Sequence, residues 1–298
     1  MLRIIADSTC DISKEDARKM GIQIVPISVR FGNEEFLDGV EITHEEFYTR
    51  LAECDELPKT SQPSPDTFMK VFNEAVAAGD DVLGIFISSD LSGTYQSACL
   101  AALDVEEETG QKKLYMVDSR SASIGTALLI REAVKLRDAG VNAADIAAAC
   151  TEMSKYIKLT AVVGSLKYLK MGGRLSGAAA FAGTMLHITP VVSIEDGKVV
   201  VIGKTRGKKA AEKLMHDKLT KDGLSFKRDF MFGHINCSES LETFINKSLT
   251  YISDVNGNVC VSSIGCSVGT HVGPGTYGIA YVEAAESGMN RESIVKTA

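Results

Sequence analysis

The chain has 298 residues, of which 45% are hydrophobic and 24% charged, so it is long enough to bury a core in each of two domains. Its net charge of −7 comes from 39 acidic and 32 basic side chains without any long basic run, and such a chain is not expected to bind nucleic acid. The seven cysteines are scattered and include no C-x-x-C pair, which is typical of reduced thiols in a cytoplasmic protein.

No segment has the pattern of a membrane span or of a signal peptide. The apolar run at residues 2–6 is too short for a signal peptide. Residues 175–194 and 255–282 carry no charge, but Gly, Ser, Thr and Pro interrupt them, whereas a spanning helix needs about 20 mostly apolar residues. We therefore expect a cytoplasmic protein with at most transient membrane contact.

The first half of the chain alternates strand and helix patterns. Ser13 with Asp16, and Thr43 with Glu46, have the spacing of capping boxes, so each pair predicts the start of a helix. Strands alternating with helices favour βαβ units and a mainly parallel sheet. Short runs typical of strands cover residues 2–6, 22–25, 28–31, 82–87 and 114–117.

The second half has a different pattern. Glu195-Asp196-Gly197 separates two apolar runs, and Asp-Gly in that position predicts a β-hairpin. Further strands are predicted at residues 230–234, 259–264 and 278–282, and helices at 206–219 and 238–249. The sequence thus predicts an α/β fold of two domains: a parallel-sheet domain over residues 1–158 and an α/β domain with a mixed sheet over residues 159–298.

Two hydroxyl-bearing residues precede a predicted helix in the first half. Ser64 followed by Pro65 is typical of a helix start, which places Thr60 and Ser61 in the loop before it. Hydroxyls beside free backbone N–H groups at a helix start can bind an anion. The alternative is that these hydroxyls only cap the helix.

A similar segment follows the strand predicted at residues 82–87. Ser92, Gly93 and Thr94 come just after this strand, and ligands of parallel sheets bind beyond the carboxyl ends of the strands. Ser92 offers a hydroxyl, and Gly93 allows a ligand to approach the backbone. Simple helix capping by Ser89 or Ser92 is the alternative.

Two more residues are candidates for a ligand site. His271 lies within the glycine-rich segment 269–275, where the backbone is open to a close ligand, although a structural histidine is the simpler interpretation. Arg174 follows two glycines and precedes the uncharged stretch from residue 175. An arginine there can pair with a carboxylate or order neighbouring hydroxyls, whereas a surface salt bridge is the alternative.

Enzymatic motifs are weak by comparison. Ser267 lies in a G-x-S-x-G motif, but His271 is the only later histidine and no acid separates the two, so the hydrolase order fails. The G-x-G-x-x-G motif at residues 273–278 precedes a predicted strand instead of following one. The five histidines lack metal-ligand spacing. We expect no cofactor, no metal and no catalytic residue.

Taken in order, these segments resemble the DegV family of bacterial fatty-acid-binding proteins. The resemblance spans the whole chain, and its motifs are specific in combination. They are Asp7-Ser8-Thr9, Val25-Pro26-Ile27, residues 60–63 (TSQP), residues 91–98 (LSGTYQSA), Val117-Asp118-Ser119, Gly172-Gly173-Arg174, Ile188-Thr189-Pro190 and residues 269–275 (GTHVGPG).

The resemblance implies a non-catalytic carrier with an elongated acyl pocket. It implies that Thr60 and Ser92 hold the carboxylate of a long-chain fatty acid such as palmitate, stearate or oleate, and that Arg174 and His271 shape the hydrogen-bond network around it. With Ser61, Gly93 and Thr94 these residues form the predicted site. The resemblance further implies that a separate fatty-acid kinase receives the bound acid, and that Arg206 faces this partner.

Three interpretations stay open at this level. The small residues at 176–183 can leave room for an acyl chain, or they can pack a helix interface closely. The first rival of the carrier is an acyl hydrolase or transferase that uses Ser267 or Ser92 with His271. The second is a carrier of another anionic amphiphile, such as an isoprenoid acid.

Overall fold

A computed structural model describes residues 1–177, 188–225, 228–250 and 258–284. The strands in these ranges are β1 (Leu2–Asp7), β2 (Ile22–Val25), β3 (Ser28–Phe31), β4 (Glu34–Leu37), β5 (Lys59–Ser61), β6 (Asp81–Phe86), β7 (Leu114–Asp118), β8 (Ile157–Val162), β9 (Thr189–Glu195), β10 (Lys198–Thr205), β11 (Phe230–His234), β12 (Val259–Ser263) and β13 (Tyr277–Val282). The helices are α1 (Lys14–Met20), α2 (His44–Glu53), α3 (Pro65–Ala77), α4 (Thr94–Thr109), α5 (Ile124–Asp138), α6 (Ala143–Met153), α7 (Lys167–Met171), α8 (Lys208–Asp222), α9 (Ser238–Ser248) and α10 (Cys266–Val272).

A parallel sheet forms the first layer. Its four strands have the order β2-β1-β6-β7, and every neighbouring pair is parallel. The helix starts predicted from capping boxes are confirmed, because the Ser13 hydroxyl accepts from the backbone N–H of Asp16 and the Thr43 hydroxyl from that of Glu46. Local capping therefore predicts where these two helices begin, whereas the strand order of the sheet comes from the structure.

A mixed sheet of six strands forms the second layer, in the order β10-β9-β8-β13-β11-β12. Only β11 and β12 pair in parallel; the other neighbours are antiparallel. The predicted hairpin joins β9 to β10, and Asp196 and Gly197 at its turn have φ of 48° and 81°. Two successive positive φ angles are what a tight hairpin turn requires, which explains the Asp-Gly pair.

A third sheet was not predicted. The strand at residues 28–31 joins this small antiparallel sheet, of order β4-β3-β5, and does not extend the parallel sheet. Thr60 and Ser61 lie on strand β5, so their prediction as a loop was wrong. β5 has only three residues and pairs with a distant segment, with Val29 opposite Thr60. Local sequence periodicity therefore does not predict this strand.

Helix α5 packs against strands of both large sheets. Its side chains are buried around most of the helix circumference, and such a helix belongs in the interior of a protein.

The predicted domain boundary falls inside a strand. Along the chain, the first strand of the six-stranded sheet is β8, which begins at Ile157, and the boundary was predicted after residue 158. The division into two domains stays a prediction.

Two expectations concern the uncharged stretches. Most of the small-residue segment 176–183 lies outside the described residues, so its role in an acyl pocket stays a prediction. In the described ranges, no helix combines the length and the apolar character that crossing a bilayer requires.

The position of α5 generates a prediction about stability. Leu129 on this helix is fully buried, and Leu129→Ala should lower the free energy of unfolding by about 2–5 kcal/mol, because it leaves a cavity in the core. Leu103→Ala is the matched control: Leu103 on α4 is 63% exposed, and we expect a change below about 0.5 kcal/mol. Urea unfolding measures both, and equal effects would contradict the placement of α5.

Candidate functional site

A cavity of about 380 Å³ lies between the carboxyl edge of the parallel sheet and one face of the six-stranded sheet. Ile87, which directly follows β6, lies on its wall. This volume is within the range of small-molecule pockets, about 300–1,000 Å³. Five of the seven residues predicted for the site line it: Thr60, Ser61, Ser92, Arg174 and His271.

Most of the cavity wall is apolar. On β8, Leu159 and Ala161 point to the same side of the sheet because side chains alternate along a strand, and Val163 follows in the same phase. Neighbouring strands continue this surface, and the start of α5 covers it. Further apolar side chains on the wall include Val192, Ile194, Val199, Ile124, Leu169 and Val272.

His271 forms the central polar contact. Its Nε2 lies 2.9 Å from the hydroxyl oxygen of Thr60, which joins α10 to β5. The prediction that His271 lies in a glycine-rich loop was wrong, since residues 266–272 form a helix. Gly269 is needed there because a Cβ at this position would lie 2.2 Å from the hydroxyl oxygen of Tyr48, so only glycine lets α10 approach α2 this closely.

The imidazole is neutral near pH 7. Burial, with a smaller effect of the nearby Arg174 charge, lowers the pKa of His271 to about 4. A neutral imidazole has one N–H donor and one acceptor. If Thr60 accepts a hydrogen bond from Nε2–H, its own hydroxyl hydrogen is left to donate to a ligand in the cavity. The pair can therefore hold an anion without a formal charge of its own.

Arg174 connects two segments of the wall. Its Nε donates to the carbonyl oxygen of Leu91 at 3.1 Å, and its Nη1 donates to that of Gly172 at 2.6 Å. Because Leu91 immediately precedes Ser92, the guanidinium holds the backbone that carries this hydroxyl. Among the described residues Arg174 forms no salt bridge, so the structure does not favour the surface ion pair considered as its alternative role.

Ser92 is oriented by its neighbours. Its hydroxyl oxygen lies 2.9 Å from that of Thr94 and accepts a 3.3 Å hydrogen bond from the backbone N–H of Thr94. Gly93 is the N-cap residue of α4. A Cβ at Gly93 would lie 2.1 Å from the side-chain oxygen of Gln62, so glycine is needed for this close approach. Gly93 and Thr94 themselves do not line the cavity. They support the position of Ser92, while Gln62, which the sequence did not single out, does line it.

Buried carboxylates hold the start of α10. Asp11 accepts a 2.8 Å hydrogen bond from the backbone N–H of Gly265, and Asp38 accepts from those of Cys266 and Ser267 at 3.2 and 3.1 Å. Burial raises the pKa of Asp11 well above its ordinary value, although the hydrogen bonds from Ser123 and Gly265 lower it. A carboxylate near the N-terminus of a helix stabilises the helix. Asp11 and Asp38 therefore explain why this glycine-rich segment is helical.

In the described ranges, one group of side chains is close enough together to bind a metal ion. Ligand atoms of Asp38, His44 and Cys266 all lie within 4.8 Å of one another. Sequence spacing did not indicate this group, because its members come from three separate segments. The carboxylate of Asp38 already accepts hydrogen bonds from two backbone N–H groups of α10 and from the Ser8 hydroxyl.

Arg206 lies outside this group of contacts. It follows β10, is exposed, and does not line the cavity. Its predicted role at a partner interface stays a prediction.

The buried imidazole generates a prediction about pH. Between the unfolded pKa of 6.5 and the folded value of about 4, the unfolded chain binds a proton at His271 that the folded chain does not. Stability should therefore fall on acidification through this range, by about 2 kcal/mol at pH 5 from this residue alone. Urea unfolding of the lipid-free chain and of His271→Gln at pH 7 and pH 5 measures the difference. Equal pH dependence in both would contradict the assignment.

Comparisons with known proteins agree with this architecture. The model of a family described as "Uncharacterised protein, DegV family" matches residues 1–284. A DegV domain-containing protein of Clostridium acetobutylicum is 36% identical over 94% of this chain and 97% of its own length. One of Clostridium perfringens is 34% identical over 95% and 98%.

Solved structures with this fold include proteins described by their ligand. A DegV family protein of Thermus thermophilus, described for its fatty-acid binding, has a TM-score of 0.84 at 30% identity and covers 94% of this chain and 99% of its own. A stearic-acid-binding protein of Eubacterium ventriosum has a TM-score of 0.85 at 29% identity, with 96% and 100% covered. The match along the sequence, the two large sheets and the cavity between them lead to one conclusion: this chain belongs to the DegV family.

Proposed function

We propose that this chain binds one long-chain fatty acid in the cavity and holds its carboxylate with the hydroxyls of Thr60 and Ser92. The observation that carries the proposal is an apolar cavity with hydroxyls on its wall, one of them bonded to the neutral imidazole of His271. The fatty-acid ligands of the Thermus and Eubacterium relatives support the same ligand class.

The two ends of such a ligand have different energetic roles. An acyl chain of about 16 carbons gains more than about 10 kcal/mol from burial at roughly 0.8 kcal/mol per CH₂, before the costs of ordering. Affinity then comes from the apolar wall. The hydroxyls contribute the choice of head group, and palmitate, stearate and oleate all satisfy these requirements.

The head group needs donors, because an ionised carboxylate only accepts hydrogen bonds. Thr60 can donate to it while accepting from His271. Arg174 has five N–H donors, and the carbonyls of Leu91 and Gly172 account for two of its hydrogen bonds. The remaining donors and the guanidinium charge support the position of a carboxylate beside it.

The hydrolase alternative finds less support in the geometry. A serine nucleophile needs a base within hydrogen-bond reach. Within the described ranges, the imidazole of His271 bonds to Thr60 instead, and Ser92 bonds to Thr94. The second rival, a carrier of another anionic amphiphile, is distinguished by mass spectrometry of lipid extracted from the purified chain, in which we expect a long-chain fatty acid.

A binding measurement tests the head-group assignment. Thr60→Val and Ser92→Ala should each weaken the binding of palmitate to the lipid-stripped chain by about 1–3 kcal/mol, as the loss of a hydrogen bond to a charged group does. Thr151→Val is the matched control, because the Thr151 hydroxyl lies on α6 and bonds to the backbone of Ala147 at 2.8 Å. Calorimetry or a fluorescent fatty-acid displacement assay measures the change. Unchanged affinity in both site variants would contradict this placement of the carboxylate.

We also propose that a separate fatty-acid kinase receives the bound acid and forms an acyl-phosphate. The seven cysteines are all unpaired, which supports a reducing cytoplasm as the place of this exchange. Arg206, Lys208 and Lys209 are exposed beside one another, and this basic cluster on an acidic chain suits an acidic partner surface.

The cluster generates a prediction about transfer. Arg206→Glu should leave the affinity for palmitate unchanged and slow acyl-phosphate formation by an added fatty-acid kinase about tenfold, because it reverses a charge at the interface. Lys112→Glu, a change of the same kind at an exposed position before β7, is the control. Initial rates at limiting carrier measure the effect. Equal rates in the two variants would contradict a role of Arg206 at the interface.

A further inference from the structure

Ser267 has a hydroxyl with no assigned role. It is the second residue of α10, is 2% exposed, and lines the cavity. Its backbone N–H donates to Asp38, but within the described residues its side-chain oxygen has no hydrogen-bond partner. A buried hydroxyl without a partner is unfavourable, so its position on the cavity wall needs an explanation.

The other hydroxyls on the wall differ from it. Each one that is not exposed has a protein partner, which is a carboxylate, an imidazole, another hydroxyl or a backbone carbonyl. These are the hydroxyls of Thr9, Thr60, Ser92, Ser123 and Thr276. Protein contacts therefore account for them, and not for Ser267.

Local helix geometry explains why Ser267 is left over. Serine and threonine inside a helix often bond back to the carbonyl four residues earlier, as Thr270 does to Cys266 at 2.9 Å. For Ser267 that residue is Ser263, the last residue of β12, and no helical turn precedes α10 there. The hydroxyl consequently has no acceptor in its own helix and faces the cavity.

Its position relative to the head-group site limits what it can bind. Ser267 and His271 are four residues apart on α10, so they lie on one face of the helix, separated along its axis by about 6 Å. His271 is bonded to Thr60. An atom that reaches the Ser267 hydroxyl is therefore close to the proposed carboxylate end of the ligand and far from the methyl end.

We infer that the Ser267 hydroxyl hydrogen-bonds to an oxygen of the acyl ligand, which makes it a second point of oxygen recognition in the cavity. The inference rests on the proposed fatty-acid function. Two oxygens have this chemistry: one belongs to the carboxylate itself, and the other to a hydroxyl group on the first carbons of the chain. In the second case the cavity distinguishes 2- or 3-hydroxy acids from unsubstituted acids.

Binding of three probes to three proteins tests the inference. The probes are palmitate, 2-hydroxypalmitate and 3-hydroxypalmitate. The proteins are the lipid-stripped chain, Ser267→Ala and Ser193→Ala. Ser193 on β9 is a matched control, because it is equally buried and its hydroxyl also lacks a partner among the described residues, but it does not line the cavity. Alanine is well tolerated in a helix, and thermal melts check that both variants fold.

We expect Ser267→Ala to weaken binding about tenfold and Ser193→Ala to leave it unchanged. A loss for all three probes assigns the carboxylate as the oxygen, and a loss for a hydroxy acid alone assigns a chain hydroxyl. Unchanged affinity of Ser267→Ala for every probe, or an equal loss in Ser193→Ala, would overturn the inference. Failure of the unsubstituted chain to bind any probe would instead overturn the proposed function, and the inference with it.

Discussion

The site depends on the buried carboxylates that hold the start of α10. Asp11 and Asp38 accept the backbone N–H groups of residues 265–267, and Asp11 also accepts the hydroxyl of Ser123 just before α5. One carboxylate thus joins the starts of two helices. Without these acceptors the first turn of a seven-residue helix would bury unpaired N–H groups, which is costly. Every polar group that α10 presents to the cavity depends on this anchoring.

In the proposed head-group site, neutral donors lie beside the cationic guanidinium of Arg174. A protonated His271 would attract a carboxylate, but burial keeps the imidazole neutral, since its pKa is lowered to about 4. Under the proposed function, carboxylate recognition then relies on oriented hydroxyls together with the guanidinium of Arg174. Neutral donors in an apolar cavity interact more strongly with a carboxylate than they would in water. They also cost less to leave unoccupied than an unpaired buried charge does.

Sequence patterns predicted elements whose signals are local. Ser13, Thr43 and Ser64 each begin a helix by accepting a backbone N–H group three residues later, and Asp196-Gly197 adopts the turn its residue types require. The two errors that matter concern β5 and α10. Both are short, and both are stabilised by distant residues: β5 by its pairing with β3, and α10 by carboxylates more than 200 positions away. The periodicity of a few residues cannot indicate partners that are so far away along the chain.

The resemblance to the DegV family indicated hydroxyls and an arginine that line the cavity. By itself the sequence determined the α/β class and the succession of a parallel and a mixed sheet. It did so because capping, alternation and turn chemistry act between neighbours along the chain. Only the tertiary structure decided which polar groups are satisfied by the protein and which face the cavity. Thr60 meets His271 across 211 positions, whereas Ser267 meets no partner among the described residues. Burial and hydrogen bonding are properties of the packed chain, and no run of neighbouring residues encodes them.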